Sequence, residues 1–399
     1  MTEIQFDGIH YETGSVRNIF ALQGIEMPHT GAAPTEALLL GLSGGITFGY
    51  FSFAYHGIDP FVALLTRNTF DPLENIFNRL GVVRAQKQTT DAVKAEKNLA
   101  DALENGQPVL VWADRFSLPY SIDDGLLGEG MYEMVPLVVF GRLDRDGTLA
   151  IADQSRRALH VDSSTLARAR GRVKKDKYRQ MTLSLPSFDK LASGVATGLR
   201  ACIDSFYASP MKGYARNFGF AAYQRWADVF ISDKDKQSWN KVFPPGRPMF
   251  AGLASAFERI ELFGTGGAAS RPLFADFLDE ASLILARPGL RDTSTQIRSL
   301  ASYWTDLGLA ILPEDQPRFN ETRLLLLKKR DLFWDQGAES VAEIGKINSR
   351  LLAIRASMEH DFPLSDIQAA AFNQNLHDHI IRLHDAEKAA FGALEKALL

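Results

Sequence analysis

The chain has 399 residues, 46% of them hydrophobic and 23% charged, with a formal net charge of −4. This is an ordinary globular balance, long enough for two domains, and a net acidic chain does not imply a broad nucleic-acid-binding surface. Its one cysteine, Cys202, excludes an internal disulfide and a zinc site built on several thiolates.

The N-terminus, MTEIQFDGIHYETG, lacks a basic region followed by an apolar one. No secretory signal is read, and a cytoplasmic, reducing location is the expectation. A helix is expected from about Thr13 to Leu22 and another from Thr35 to Leu42. The stretch Glu36–Tyr55, EALLLGLSGGITFGYFSFAY, is long enough to span a bilayer. Its glycines and serines interrupt it, so it reads instead as a helix, a glycine turn and a buried strand over Ile46–Phe53. Pro72 sits in the first turn of a helix ending at Leu80. VVRAQKQT (Val82–Thr89) alternates like a strand, and Asp91–Gly106 is an amphipathic helix closed by its glycine.

Three apolar, β-branched runs follow: Pro108–Asp114, Met134–Leu143 and Thr148–Asp153. They read as core strands, the last two joined by hairpin chemistry in DRDG (Asp144–Gly147). From Ser187 the pattern turns helical. Leu191, Val195, Leu199, Cys202 and Phe206 keep one 3.6-residue stripe, which makes Cys202 a core thiol. More helices are expected near Phe220–Ile231, Pro248–Phe263, Arg271–Ala286 and Ser294–Ile311. Two long helices close the chain around HDFPLSD (His360–Asp366). Their seams are Val341, Ile344, Ile347, Leu351, Ile354 and Met358, then Leu376, Ile380, Leu383, Phe391, Leu394 and Leu398. Two such seams predict a helical hairpin, packed on its own chain or used to form a homodimer. The expected division is 1–185 and 186–399, with an α+β part followed by an all-α part.

Several segments could carry chemistry. RARGRVKKDKYR (Arg168–Arg179) holds seven basic residues and one acid. If extended, it places Arg172 and Lys174 on one face and Lys175, Lys177 and Arg179 on the other, a docking strip for an anion or an acidic partner. GLSGGITFGY offers an anion nest or a tight turn. GTGGAASR (Gly264–Arg271) offers a helix N-terminus with Arg271 beside it, or a turn capped by Ser270. In HDHIIRLHD, His377 and His384 share a helix face while His379 points away by roughly 200 degrees, so one side offers two ligands only. No metal site and no cofactor are expected.

The run HYETGSVRNIFALQG…PTEALLLGLSGGITFGYF resembles the N-terminal domain of the butirosin biosynthesis protein H family. The resemblance continues through VLVWADRFSLPY, VPLVVFGRLDRDGTLAIAD and STLARAR. ELFGTGGAASRPLFADFLDEA resembles the uncharacterised DUF4872 segment that commonly follows. The resemblance implies a papain-like (cysteine-peptidase-like) N-terminal fold. It also implies acyl transfer from a carrier protein to an amine, by a cysteine at a helix N-terminus, a histidine base and an orienting acid.

Carried over residue by residue, the cysteine's place holds Tyr11 and the histidine's place falls on Met134 or Val135. Only the acid has a match, in Asp153. A phenol with an ordinary pKa near about 10 and no base is a poor acyl acceptor at neutral pH. Two readings stand. One is a non-thiol pseudoenzyme that binds a small molecule or a carrier partner in a cleft lined by His10, Glu36, Trp112 and Tyr120. The other is a transferase or hydrolase rebuilt around Tyr11, Glu12, Ser15, Asp114 and Asp153, with a Ser15–His10 pair as one version. Neither nucleic acid nor membrane is expected as a partner.

Overall fold

The computed structural model describes residues 5–122, 132–142, 147–232 and 234–398. The DRDG turn falls largely in residues 143–146, outside the described residues. In chain order the elements begin with α1 (Thr13–Leu22), α2 (Glu36–Ser43), β1 (Ile46–Tyr55), β2 (Ile58–Arg67), α3 (Pro72–Leu80), β3 (Arg84–Lys87) and α4 (Ala92–Glu104). Then come β4 (Val109–Asp114), β5 (Met134–Arg142), β6 (Thr148–Ala152), β7 (Leu159–Asp162), α5 (Ser163–Arg170) and β8 (Gln180–Leu183). The remainder is helical: α6 (Leu191–Tyr207), α7 (Gly219–Ile231), α8 (Trp239–Val242), α9 (Arg247–Glu261) and α10 (Arg271–Ile284). It ends with α11 (Gly289–Ile311), α12 (Pro317–Gln336), α13 (Val341–Ser357) and α14 (Asp366–Leu398). This is α+β with a helical C-terminal part.

Two compact units form, each assembled from separate stretches of chain. The first takes the chain up to Leu39, Pro72–Gly194 and Lys329–Ser349. The second takes Leu40–Asp71, Val195–Lys328 and the chain from Arg350 onward.

The first unit is built on a six-stranded antiparallel sheet in the order β3-β8-β4-β5-β6-β7. β4 is buried at every residue, as its unbroken apolar run requires. Alternate side chains point to opposite faces. Val109, Val111, Ala113, Leu137 and Val139 join Leu99 and Ala102 of α4, Leu166 and Ala169 of α5, and Phe333 and Ile344 in one cluster. Outside that cluster, α1 also packs against β4 and β5. β7 and β8 are additions to the predicted elements, and the strand expected over Val82–Thr89 shortens to β3.

In the second unit β1 pairs with β2, which is also an addition. Asp59-Pro60 reads as turn chemistry, but the pairing with β1 and the packing of α9 on β2 override it. The Glu36–Tyr55 stretch is α2, a turn at Gly44-Gly45 and β1, and among the described residues no helix is long and apolar enough to cross a membrane. Gly45 has φ 75°, and a Cβ there would stand 2.7 Å from Cys202 Sγ, so the turn needs a glycine for conformation and for room. The amides of Gly44 and Gly45 donate to the carbonyls of Gly41 and Leu40. They are therefore spent on the turn, and the anion-nest reading is corrected.

The predicted helical hairpin is also corrected. α13 and α14 do form on either side of HDFPLSD, and Leu376, Ile380, Leu383, Phe391 and Leu394 are buried. α14 packs chiefly on α7 and α11, however. Phe391 lies 3.9 Å from Phe206, centroid to centroid, and also meets Phe220 and Phe274. On α13, Ile344 joins the cluster of the sheet-bearing unit instead.

Arg271 does not dock an anion at a helix end. Its guanidinium is fully buried, with Nε 2.7 Å from Oε1 of the equally buried Glu387. It also donates to the Ala269 carbonyl and the Tyr223 hydroxyl, and lies over the Trp304 ring. Trp304 Nε1 donates to the same Glu387 oxygen at 2.8 Å. Ser270, at φ 67°, caps nothing; its hydroxyl accepts from Arg67 Nε. Removing one member of a buried pair leaves the other charge uncompensated. Glu387→Leu should cost about 3–5 kcal/mol, and adding Arg271→Met should recover more than half of that loss. Urea denaturation midpoints of the single and double variants measure both.

Candidate functional site

The loop that enters α1 is held from behind by one carboxylate. The Glu36 oxygens accept from the Ile9 amide at 2.5 Å, the His10 amide at 3.1 Å and the Thr13 hydroxyl at 2.7 Å. Glu36 is 5% exposed. It is a strut under the loop. It can reach that position because Thr35 starts α2, its hydroxyl accepting from the Leu38 amide. Glycines allow the loop to close tightly. A Cβ on Gly8 would lie 2.4 Å from the Gly14 carbonyl oxygen.

The loop presents His10, Tyr11 and Glu12. His10 is buried, and its ring lies 4.1 Å from that of Tyr11. The Glu12 amide donates to His10 Nδ1 at 3.3 Å, so that nitrogen serves as an acceptor. Ser15, one turn into α1, donates its buried hydroxyl to the Pro136 carbonyl at 3.4 Å. The Ser15–His10 pair does not form: the hydroxyl is directed to a β5 carbonyl.

Where the resemblance places the histidine, Val135 is buried in β5 opposite Ala113, and Met134 stands opposite Asp114. Asp153, the matched acid, has a different partner. The Tyr120 hydroxyl donates to its Oδ2 at 3.1 Å, and the Gln154 amide donates to Oδ1 at 2.8 Å. Gln154 Nε2 in turn donates to the Ile9 carbonyl at 2.9 Å, tying this acid to the His10–Tyr11 loop. Burial pushes the Asp153 carboxyl above its ordinary range, against the Gln154 and Tyr120 hydrogen bonds and the charge of Arg115. Burial, reinforced by Asp153, likewise pushes the Tyr120 phenol well up.

Asp114 and Asp153 do not converge. Asp114 accepts from the amides of Phe116 and Glu133 and from the Ser117 hydroxyl, and its other neighbour is Arg172, 3.9 Å away. It caps the turn after β4. The Arg179 guanidinium lies over the Trp112 ring at 3.7 Å.

The basic run is not an extended strip. Arg168 and Arg170 end α5, and Lys174–Asp176 form a single helical turn that leaves Lys174 and Lys175 exposed. Arg170 and Arg179 turn inward. On α14, His377 and His384 pair with neighbouring Asp378 and Asp385 at 2.8 and 2.9 Å. Cys202 is fully buried and donates to the Ile46 carbonyl, and burial pushes its thiol well up.

Tyr120 and Asp153 stand 33 residues apart, and nothing local in the sequence joins them. Gln154, a polar residue directly after the matched acid, is the one local hint of a tether.

Residues 10–154 match the family described as butirosin biosynthesis protein H, N-terminal, and residues 164–325 match a domain of unknown function, DUF4872. The named domains and their order are those of the resemblance. No curated protein matches the chain. Each match contributes to both compact units: the first includes β1 and β2, and the second begins in α5.

A carboxyl whose pKa rises on folding favours the protonated native state. Its contribution to stability is full below the ordinary value of 3.8 and is lost as pH rises through the raised native value. Asp153→Asn stays neutral throughout. Its melting temperature should exceed that of the wild type at neutral pH, and the gap should close as pH falls toward about 3. Glu36→Ala should destabilise by about 1–3 kcal/mol by orphaning buried donors, read by urea denaturation.

Proposed function

We propose that this chain, a butirosin-biosynthesis-H-type N-terminal region followed by a DUF4872 region, serves biosynthesis as a non-thiol binding protein. Its ligand is a small molecule or a carrier partner presented to the His10–Tyr11 loop. The carrying observation is the Tyr120–Asp153 hydrogen bond. The acid that would orient a base holds a phenol instead. Support comes from three further features: tyrosine in the cysteine's place, a buried valine in the histidine's stretch, and a Ser15 hydroxyl given to a carbonyl. A hydroxyl is a poor nucleophile at neutral pH unless a base or a lowered pKa activates it.

A papain-like fold belongs to this proposal. α1 lying against antiparallel β4 and β5 is compatible with it. So does a cytoplasmic site of action, where a lone buried thiol stays reduced.

Intact-mass spectrometry with acyl N-acetylcysteamine thioesters tests the reading. The wild type, Tyr11→Phe and Ser15→Ala should all remain unacylated. An acyl adduct on the wild type that disappears in either variant would establish the rebuilt site and overturn the binding-protein reading.

A further inference from the structure

β3 ends the six-stranded sheet, and among the described residues β8 is its one neighbour strand. All four residues of β3 are exposed. The ladder on its inner side fixes where its main chain points. The Ser184 amide donates to the Val83 carbonyl at 2.8 Å, so by alternation Val83, Ala85 and Lys87 turn their amides and carbonyls inward. Across β8 the Trp112 amide donates to the Arg179 carbonyl at 3.3 Å, which assigns Arg179 and Met181 to β4 and leaves Gln180 and Thr182 for β3. Both ladders agree: the amides and carbonyls of Arg84 and Gln86 point out of the sheet.

The ground beside that edge is cationic. The Gln88 side chain donates to the Lys175 carbonyl at 2.7 Å, which holds the turn Lys174–Asp176 against the end of β3. Lys87, Lys174 and Lys175 are exposed there. Among the described residues no carboxylate pairs with these three lysines; Asp176 is engaged by Arg179 at 3.2 Å, and Glu74 by Arg84. At the opposite end of the edge Val83 and Leu185 are exposed apolar side chains.

We propose that β3 is a docking edge for an extended acidic segment of a partner protein, which adds to the sheet as a seventh strand. An open edge offers main-chain hydrogen bonds to any strand, and cationic side chains along it turn away strands of the same sign. An acidic strand gains on both counts: backbone pairing with Arg84 and Gln86, and charge complementarity with Lys87, Lys174 and Lys175. The site is separate from the His10–Tyr11 loop and stands independently of the function proposed for it.

Fluorescence anisotropy of the full chain with dye-labelled ten-residue peptides tests this. The probe alternates glutamate with valine or threonine. One control replaces each glutamate by lysine, and another carries N-methyl groups on its central backbone amides. The acidic probe should bind at least tenfold tighter than either control. Gln86→Pro removes an outward donor and leaves the β8 ladder in place, because proline is accepted where an edge amide faces solvent. It should weaken the probe at least fivefold. Lys175→Glu, on an exposed turn, should weaken it comparably and lessen its dependence on salt, and keeps the test available should the proline variant fail to fold. An acidic probe that binds no tighter than either control would overturn the proposal, as would wild-type affinity in Lys175→Glu or in a folded Gln86→Pro.

Discussion

The Glu36 carboxylate is the constraint on which the candidate site depends. A loop that must turn sharply into a helix leaves amides with no helical partner. Here the amides of Ile9 and His10 and the Thr13 hydroxyl are collected by one buried acid from the next helix. The Gly8–Gly14 contact then leaves no room to relax. His10 and Tyr11 are therefore set in place by the residues behind them, whatever chemistry they face in front.

The same loop is tied on its other side through Gln154 to Asp153. An acid in a dry site is costly when charged, and Tyr120 meets part of that cost by donating to it. The bond joins Tyr120 to the acid that the resemblance assigns to orienting a histidine.

How much of this was legible in the sequence differed by element. α1 and the strands β4, β5 and β6 were readable because their period and β-branching agree with their burial. β2 was not, because Asp59-Pro60 has the local chemistry of a turn and its strand character comes from pairing with β1. The family resemblance and the vacancy of the cysteine position were readable from residue types alone. The partner of Asp153 was not, since Tyr120 lies 33 residues upstream. Nor was the fate of Arg271, whose counter-ion is 116 residues away. A basic residue beside a glycine-rich turn looks the same in sequence whether it faces water or a buried glutamate.

The interleaving of the two units has a consequence for synthesis. The sheet-bearing unit includes Lys329–Ser349, and the helical one includes both the β1–β2 hairpin and α14. Neither can complete its packing while the nascent chain is short, although N-terminal-first folding is the usual course for successive domains. The sheet unit waits for most of the polypeptide to leave the ribosome, and β1–β2 waits longer still for the residues of its own unit. A truncation near either end therefore removes the closing piece of one unit, and neither family-matched region is a unit that can be cut free whole.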